Sequence, residues 1–346
     1  MERKKYDITD INILYEVYVP RKSIYQKVYT KLDMALKQSL KKKETNSILG
    51  INAGSSFSII GQSGSGKTSL IKHCISEIGT DIMTLNTIYG QADILPFLYL
   101  NCPPDCSIKT LLINILNEID KHLDTHYSDA FSLKFTTEQL FSMLLAAVKF
   151  IGVLILDECQ NLAKFKAGNT LINYLTALAN SGLSICISGT EELIPFLASD
   201  SSLSRRYQPV LVKPYDYDEE FNELVSELLS YEFFTVDSNE ILYYWLFIHS
   251  AGLPSQLVEL IYQTNLNKSF NISSDILTIS DFEEVFNNMV FKPLIPKTKT
   301  KTTKTSQPQI AYIGQPSETI DLQAILKDRS IDMLSVLKSN FEVIEL

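Results

Sequence analysis

The sequence predicts an α/β fold: a parallel sheet core, then a small helical lid and a flexible C-terminal tail. Three observations predict it. Short apolar runs at 57–60, 97–101, 152–156 and 183–188 alternate with helical patterns at 69–78, 107–123, 137–149 and 169–180. Between the first strand and the first of those helices, Gly61-Gln62-Ser63-Gly64-Ser65-Gly66-Lys67-Thr68 satisfies the P-loop pattern G-x-x-x-x-G-K-[ST] without mismatch. From residue 218 onward the strand-like runs stop and four helical patterns follow, at 218–230, 238–250, 254–266 and 280–289.

Taken in order, residues 1–49 read as an extended arm and a basic helix near 24–43. They carry eleven Lys/Arg and six Asp/Glu. Residues 50–215 form the α/β core, whose strands hold few charges, as strands covered on both faces do. Residues 216–296 form the lid. Residues 297–309 alternate Lys and Thr, a composition that favours a flexible linker. Residues 310–346 contain short amphipathic stretches at 320–326 and 333–337, expected to dock on a partner.

The chain has 346 residues, room for about two domains. Net charge is −9, but the arm contributes +5 and the linker +4, which leaves −18 on the remainder. No whole-protein basic field attracts nucleic acid, so any such contact comes from a local patch. The N-terminus leads into no secretory core, and no apolar run reaches the roughly 18 residues of a membrane span. The five cysteines, at 74, 102, 106, 159 and 186, are scattered and odd in number, which fits a reducing cytoplasm. Cys102 and Cys106 lack a second ligand pair, so zinc is not expected.

In the P-loop, Gly61, Gly64 and Gly66 let the backbone approach a ligand closely. The amides of this loop, with Ser63, Ser65 and Ser69 completing it, face phosphates at a helix N-terminus. Lys67 reaches the β- and γ-phosphates, and the Thr68 hydroxyl holds Mg²⁺. About 90 residues later an apolar strand ends in Asp157-Glu158, the Walker B pattern. Asp157 is placed for Mg²⁺, and Glu158 for orienting or deprotonating the attacking water; the plainer alternative is a strand capped by two solvated acids. No Asn-Lys-x-Asp base reader is present, so the expected cofactors are ATP and Mg²⁺, and the expected reaction is hydrolysis to ADP and phosphate.

The next strand ends at Ser188-Gly189-Thr190. A polar residue there can touch the γ-phosphate, as the first sensor of AAA+ proteins does. Thr190 is the first choice and Ser188 the second; Thr190 could equally be a helix N-cap. Arg205 and Arg206 stand where AAA+ proteins keep an arginine finger, a role that makes hydrolysis depend on assembly. A surface pair in ordinary salt bridges is the alternative.

The run from Gly152 through Asp157-Glu158-Cys159-Gln160-Asn161-Leu162 resembles the Walker B segment of TnsC-type (TnsC/TniB-like) AAA+ regulators of Tn7-like transposition. So do the stretch from Leu171 to Asn180, the stretch Ser188-Gly189-Thr190-Glu191-Glu192-Leu193, the Arg205-Arg206 pair, the segment from Leu100 to Lys109, and Tyr18-Val19-Pro20-Arg21. The resemblance covers about residues 15–290. It implies an AAA+ ATPase that assembles with ATP on duplex DNA as a ring or helical filament and links a target selector to the transposase. It also implies sequence-independent phosphate contacts, with Lys109 as the first candidate and Lys164 and Lys166 as weaker ones. One departure is Ser255, where many relatives carry a lid arginine; slow turnover is expected. Two other readings stand beside this one: a STAND-type signalling switch, and a replication-initiator or helicase-loader relative.

Overall fold

The computed structural model describes residues 4–45, 55–87, 90–104, 107–128, 135–163, 168–270 and 275–289. The expected linker and tail, Lys164 and Lys166 lie outside them. The chain divides into two units. One holds 20–63 and 67–212; the other holds 1–19, 64–66 and 213–346. The chain opens with a two-residue strand, β1 (Lys4–Lys5), and a 3-10 helix over Ile8–Tyr15, both in the second unit.

The first unit begins with α1 (Lys22–Thr45), β2 (Phe57–Gly61) and α2 (Lys67–Ile78). Then come β3 (Met83–Thr87), β4 (Gly90–Asn101), α3 (Ile108–Leu123), α4 (Thr137–Ala147) and β5 (Ile151–Asp157). It closes with α5 (Gln160–Ala163), α6 (Gly168–Asn180), β6 (Ser184–Gly189), α7 (Leu193–Ala198), α8 (Ser201–Arg206) and β7 (Pro209–Val212). The six-stranded sheet runs β3-β4-β5-β6-β2-β7, parallel throughout except where β3 pairs antiparallel with β4. The four apolar runs of the sequence are β2, the end of β4, β5 and β6. The two edge strands carry a weaker signal. β3 alternates between half-buried and exposed residues, and β7 has four residues, starts at a proline and buries only Val210 and Val212. Proline lacks the ladder N–H and so belongs at an edge.

Strand alternation divides the core. Leu154, Leu156, Ile185 and Ile187 face one side and pack with Leu112, Ile115 and Leu116 of α3, Leu140 and Leu144 of α4, and Leu171 and Leu175 of α6. Each such side chain, fully buried, contributes about 1.5–3 kcal/mol. α1 also packs on the sheet, and its Leu36 comes close to β5 at Gly152: a Cβ there would lie 2.4 Å from Pro96 O and 2.6 Å from Leu36 Cδ1. The glycine is required by close approach. Ser184, on the face opposite Ile185 and Ile187, donates its hydroxyl to Ala35 O of α1 (3.1 Å).

The second unit is mostly helical: α9 (Glu219–Ser230), α10 (Glu240–Ser250), α11 (Pro254–Phe270) and α12 (Ile279–Asn288). Asp218 and Asn239 cap α9 and α10 by accepting from Phe221 N and Leu242 N. α10 is apolar nearly all round, and Trp245, Leu246 and Phe247 are all buried, the mark of a central helix. The sequence reading gave this region no strands. The structure adds β8 (Tyr231–Glu232), β9 (Thr235–Val236) and β10 (Ile276–Leu277), pairing as β1 with β8 and β9 with β10. Two residues per strand leave no alternation to detect. The arm belongs to this unit: Ile11 and Leu14 are buried in its core, and the Tyr15 hydroxyl donates to Glu259 (2.7 Å). No helix among the described residues is long and apolar enough to cross a membrane.

Candidate nucleotide site

Parallel strands β5, β6 and β2 end side by side, which is where α/β sheets gather ligand-binding groups. β2 ends at Gly61. Gly64 and Gly66 take φ values of +80° and +87°, a region that side chains other than glycine rarely enter. Gly61 itself is an ordinary strand residue, paired in register with Val212. Lys67 begins α2, and Thr68 and Ser69 follow in its first turn. The Lys67 ammonium is buried and donates to the carbonyls of Gly61 (2.9 Å) and Gln62 (2.8 Å). Burial lowers its pKa, while the carboxylates of Glu158, Asp157 and Glu191 pull it back up. The same ammonium pulls Glu191 down, but burial of Glu191 prevails and leaves its carboxyl above the usual range.

Asp157 ends β5 and is 1% exposed. Its Oδ2 accepts from the Thr68 hydroxyl at 2.6 Å and from the Tyr99 hydroxyl at 2.8 Å. Its Oδ1 accepts from Glu158 N at 2.9 Å. Burial is the largest single influence on this carboxyl and raises its pKa. The hydroxyls of Thr68, Ser188 and Tyr99 and the Glu158 amide together outweigh it, so the group stays ionised below the ordinary range. The Ser188 hydroxyl acts by proximity and makes no hydrogen bond of good geometry among the described residues. A carboxylate separated from the P-loop strand by β6, and bonded to the loop's threonine, is a hard-oxygen pair suited to Mg²⁺.

Glu158 has φ +56°, the left-handed region, at a cost of about 1–3 kcal/mol for a non-glycine residue. Its carbonyl accepts from Asn161 N (3.0 Å), and its carboxylate accepts from the Gln160 amide. Thr190 follows β6; its N–H donates to Gln160 Oε1 (3.1 Å), and its own hydroxyl is buried without a partner among the described residues. Buried hydroxyls without partners are uncommon. The Ser65 hydroxyl of the P-loop is another. Within the first unit, the orphaned hydroxyl of Thr190 and the buried ammonium of Lys67 suit a polyanionic ligand. Thr190 is not the N-cap of α7, because that position belongs to Glu192.

The arginines differ. Both lie in the last turn of α8, whose N-cap Asp200 accepts from Ser202 N and Leu203 N. Arg206 donates to Asn180 Oδ1 (2.8 Å) within the unit, whereas Arg205 is exposed. Lys109 is half-buried in the first turn of α3, away from these residues in sequence and in element. In the second unit, Ser255 N donates to Gly64 O (3.2 Å), and a Cβ on Gly64 would fall 2.0 Å from the serine hydroxyl. Cys74, Cys102, Cys159 and Cys186 are free thiols and buried. Tyr99 and Gln160 escaped the sequence reading. Tyr99 sits among apolar strand residues, and Gln160 belongs to the quoted Walker B stretch without a role assigned to it.

Residues 51–197 match the AAA domain family. No curated protein matches the sequence. Among solved structures, the Aeropyrum pernix ORC2 protein (ADPNP–ADP complexes) aligns with a TM-score of 0.49 and 12% identity, over 75% of this chain and 67% of that one. The Aeropyrum pernix ORC1 protein in complex with DNA aligns with a TM-score of 0.54 and 11% identity, over 78% of this chain and 65% of that one. The chain therefore spans about two thirds of the length of either neighbour. With the P-loop at the end of β2 and the acidic pair at the end of β5, the first unit has an α/β P-loop fold on a mostly parallel sheet, and residues 51–197 are similar to the AAA domain.

Proposed function

We propose that this chain is an ATP-hydrolysing switch that assembles with further copies of itself on duplex DNA. The carrying observation is the bond between Thr68 and Asp157, which joins the two phosphate-site motifs around a buried lysine. Loop amides and Lys67 bind the triphosphate. Thr68 and Asp157 hold Mg²⁺, which supplies charge neutralisation for the phosphates. Glu158 accepts a proton from the water whose oxygen attacks the γ-phosphorus as the bond to ADP breaks. Thr190 lies beside that centre as a γ-phosphate sensor. Arg205, exposed at the end of α8, completes the site of a neighbouring copy. Arg206, bound to Asn180, supports it.

The finer reading is a TnsC-type regulator of transposition that links a target selector to the transposase, with residues 310–346 as a partner-binding segment. It is supported by the Asp157–Leu162, Gly189–Leu193 and Arg205-Arg206 stretches. One observation favours a second reading, a replication initiator: the fold likeness to an ORC1 protein solved with DNA. Fluorescence polarisation on unrelated duplexes, with and without a non-hydrolysable ATP analogue, tests both. Equal, ATP-dependent assembly on every duplex supports the regulator. Selection of one sequence supports the initiator. No binding in any nucleotide state removes both.

A further inference from the structure

We propose that Gln160 is a positioning residue: its side-chain amide holds the Glu158 carboxylate in place and ties it to the tip of β6. The inference rests on the proposal that Glu158 is the base for ATP hydrolysis.

Gln160 is buried at the start of α5. The N–H of Thr190 meets its Oε1 at 3.1 Å. A backbone N–H can only donate, so the atom facing it is the oxygen. The other arm of the amide is then the NH₂ group, and it meets Glu158 Oε2, which in an ionised carboxylate can only accept. The network therefore fixes which way the amide points. Gly189 makes room for it. A Cβ there would lie 2.4 Å from Gln160 Oε1 and 2.6 Å from Leu193 Cδ1. The backbone around Glu158 is pinned in parallel: its own N–H bonds Asp157, and Cys159 N donates to Ser188 O at 2.9 Å. Without the Gln160 amide, the Glu158 side chain loses its one hydrogen-bond donor among the described contacts. A single side chain thus connects the proposed base to the proposed γ-phosphate sensor, so a shift of Thr190 is felt at Glu158.

The test separates holding Glu158 from filling space. Gln160→Glu keeps the shape and keeps an acceptor for Thr190 N–H, but sets an acceptor against the Glu158 carboxylate. Gln160→Met keeps the volume and loses both bonds. ATP turnover of the full chain is measured with duplex DNA, alongside nucleotide affinity and thermal unfolding. The expected result is a kcat about ten- to a hundredfold lower in either variant, with KM and nucleotide Kd within about threefold of the parent. Added to Glu158→Gln, Gln160→Glu lowers kcat by less than about twofold further, because the group it acts through is gone. If Gln160→Glu does not fold, Gln160→Met is judged by the same criteria. A folded variant with parental kcat, or a loss that multiplies with that of Glu158→Gln, overturns the inference alone. A parent chain without turnover, or full turnover in Glu158→Gln, overturns the catalytic reading and this inference with it.

Discussion

The hydroxyl of Thr68, in the first turn of α2, donates to Oδ2 of Asp157, at the end of β5, across 2.6 Å. The two residues are 89 positions apart in the chain, and the strand β6 separates their strands in the sheet. The Tyr99 hydroxyl from β4 reaches the same oxygen. One carboxylate oxygen is thus fixed by two hydroxyls from opposite sides of its own strand.

That shared oxygen gives a prediction about Mg²⁺. A single hydrogen bond contributes about 0.5–1.5 kcal/mol, or roughly two- to tenfold in an equilibrium constant. Tyr99→Phe is expected to raise the Mg²⁺ concentration for half-maximal binding of a fluorescent ATP analogue by about that factor. Thr68→Ala, which removes a proposed ligand as well, is expected to raise it more. An unchanged titration for Tyr99→Phe would show that its hydroxyl does not orient Asp157.

Lys67 is 5% exposed and bonded only to loop carbonyls among the contacts described. Its charge is poised for phosphate. Lys67→Ala is expected to weaken ATP-analogue binding by about a hundredfold, in line with two charge-assisted hydrogen bonds. DNA assembly falls with it. Titration calorimetry checks the first effect and sedimentation with duplex DNA the second. ATP-dependent assembly that persists in the variant refutes the link between them.

The two arginines separate by partner. Arg205→Ala is expected to leave nucleotide affinity of the lone chain unchanged and to lower turnover of the DNA assembly by about 10³-fold, the size of an arginine-finger effect. Arg206→Ala breaks the bond to Asn180 and is expected to lower the melting temperature instead. Mixing Arg205→Ala with Glu158→Gln chains should restore some turnover, since each supplies what its neighbour lacks. No recovery on mixing would place Arg205 outside the shared site.

The helical unit offers a prediction about acid. Lys268, buried in α11, donates to Asp281 Oδ1 (2.8 Å), while the Thr278 N–H and hydroxyl donate to Oδ2 at 2.7 and 2.9 Å. Partial burial raises the Asp281 pKa, but these donors outweigh it and the folded value is lowered. A depressed folded pKa means the stabilisation is present above the unfolded value of about 3.9 and is lost as pH falls through the folded one. Asp281→Asn is expected to cost about 3 kcal/mol at neutral pH, because it strands a buried ammonium, and less below pH 4. Denaturant unfolding at pH 7 and pH 3 checks this; an equal cost at both would show that the ion pair is not the cause.

The sequence by itself determined the motifs that depend on local order. The P-loop needs contiguous residues and a strand-to-helix turn, and Asp157-Glu158 needs only the end of an apolar strand; both are legible because the pattern and the backbone that realises it share one stretch of chain. The four inner strands are legible for the same reason, since burial on both faces leaves an apolar run. Tertiary structure alone decided which distant groups meet. Tyr99 looks like any strand aromatic until β4 lies against β5 and brings its hydroxyl to Asp157. Gln160 acquires partners only when the tip of β6 closes on it at Gly189. The arm residues Ile11 and Leu14 read as part of an extended arm, yet they are buried in the core of the helical unit, while α1 packs on the sheet. Local periodicity states which face of an element is apolar; the strand order and the packing of distant segments determine what that face, and each polar group beside it, will touch.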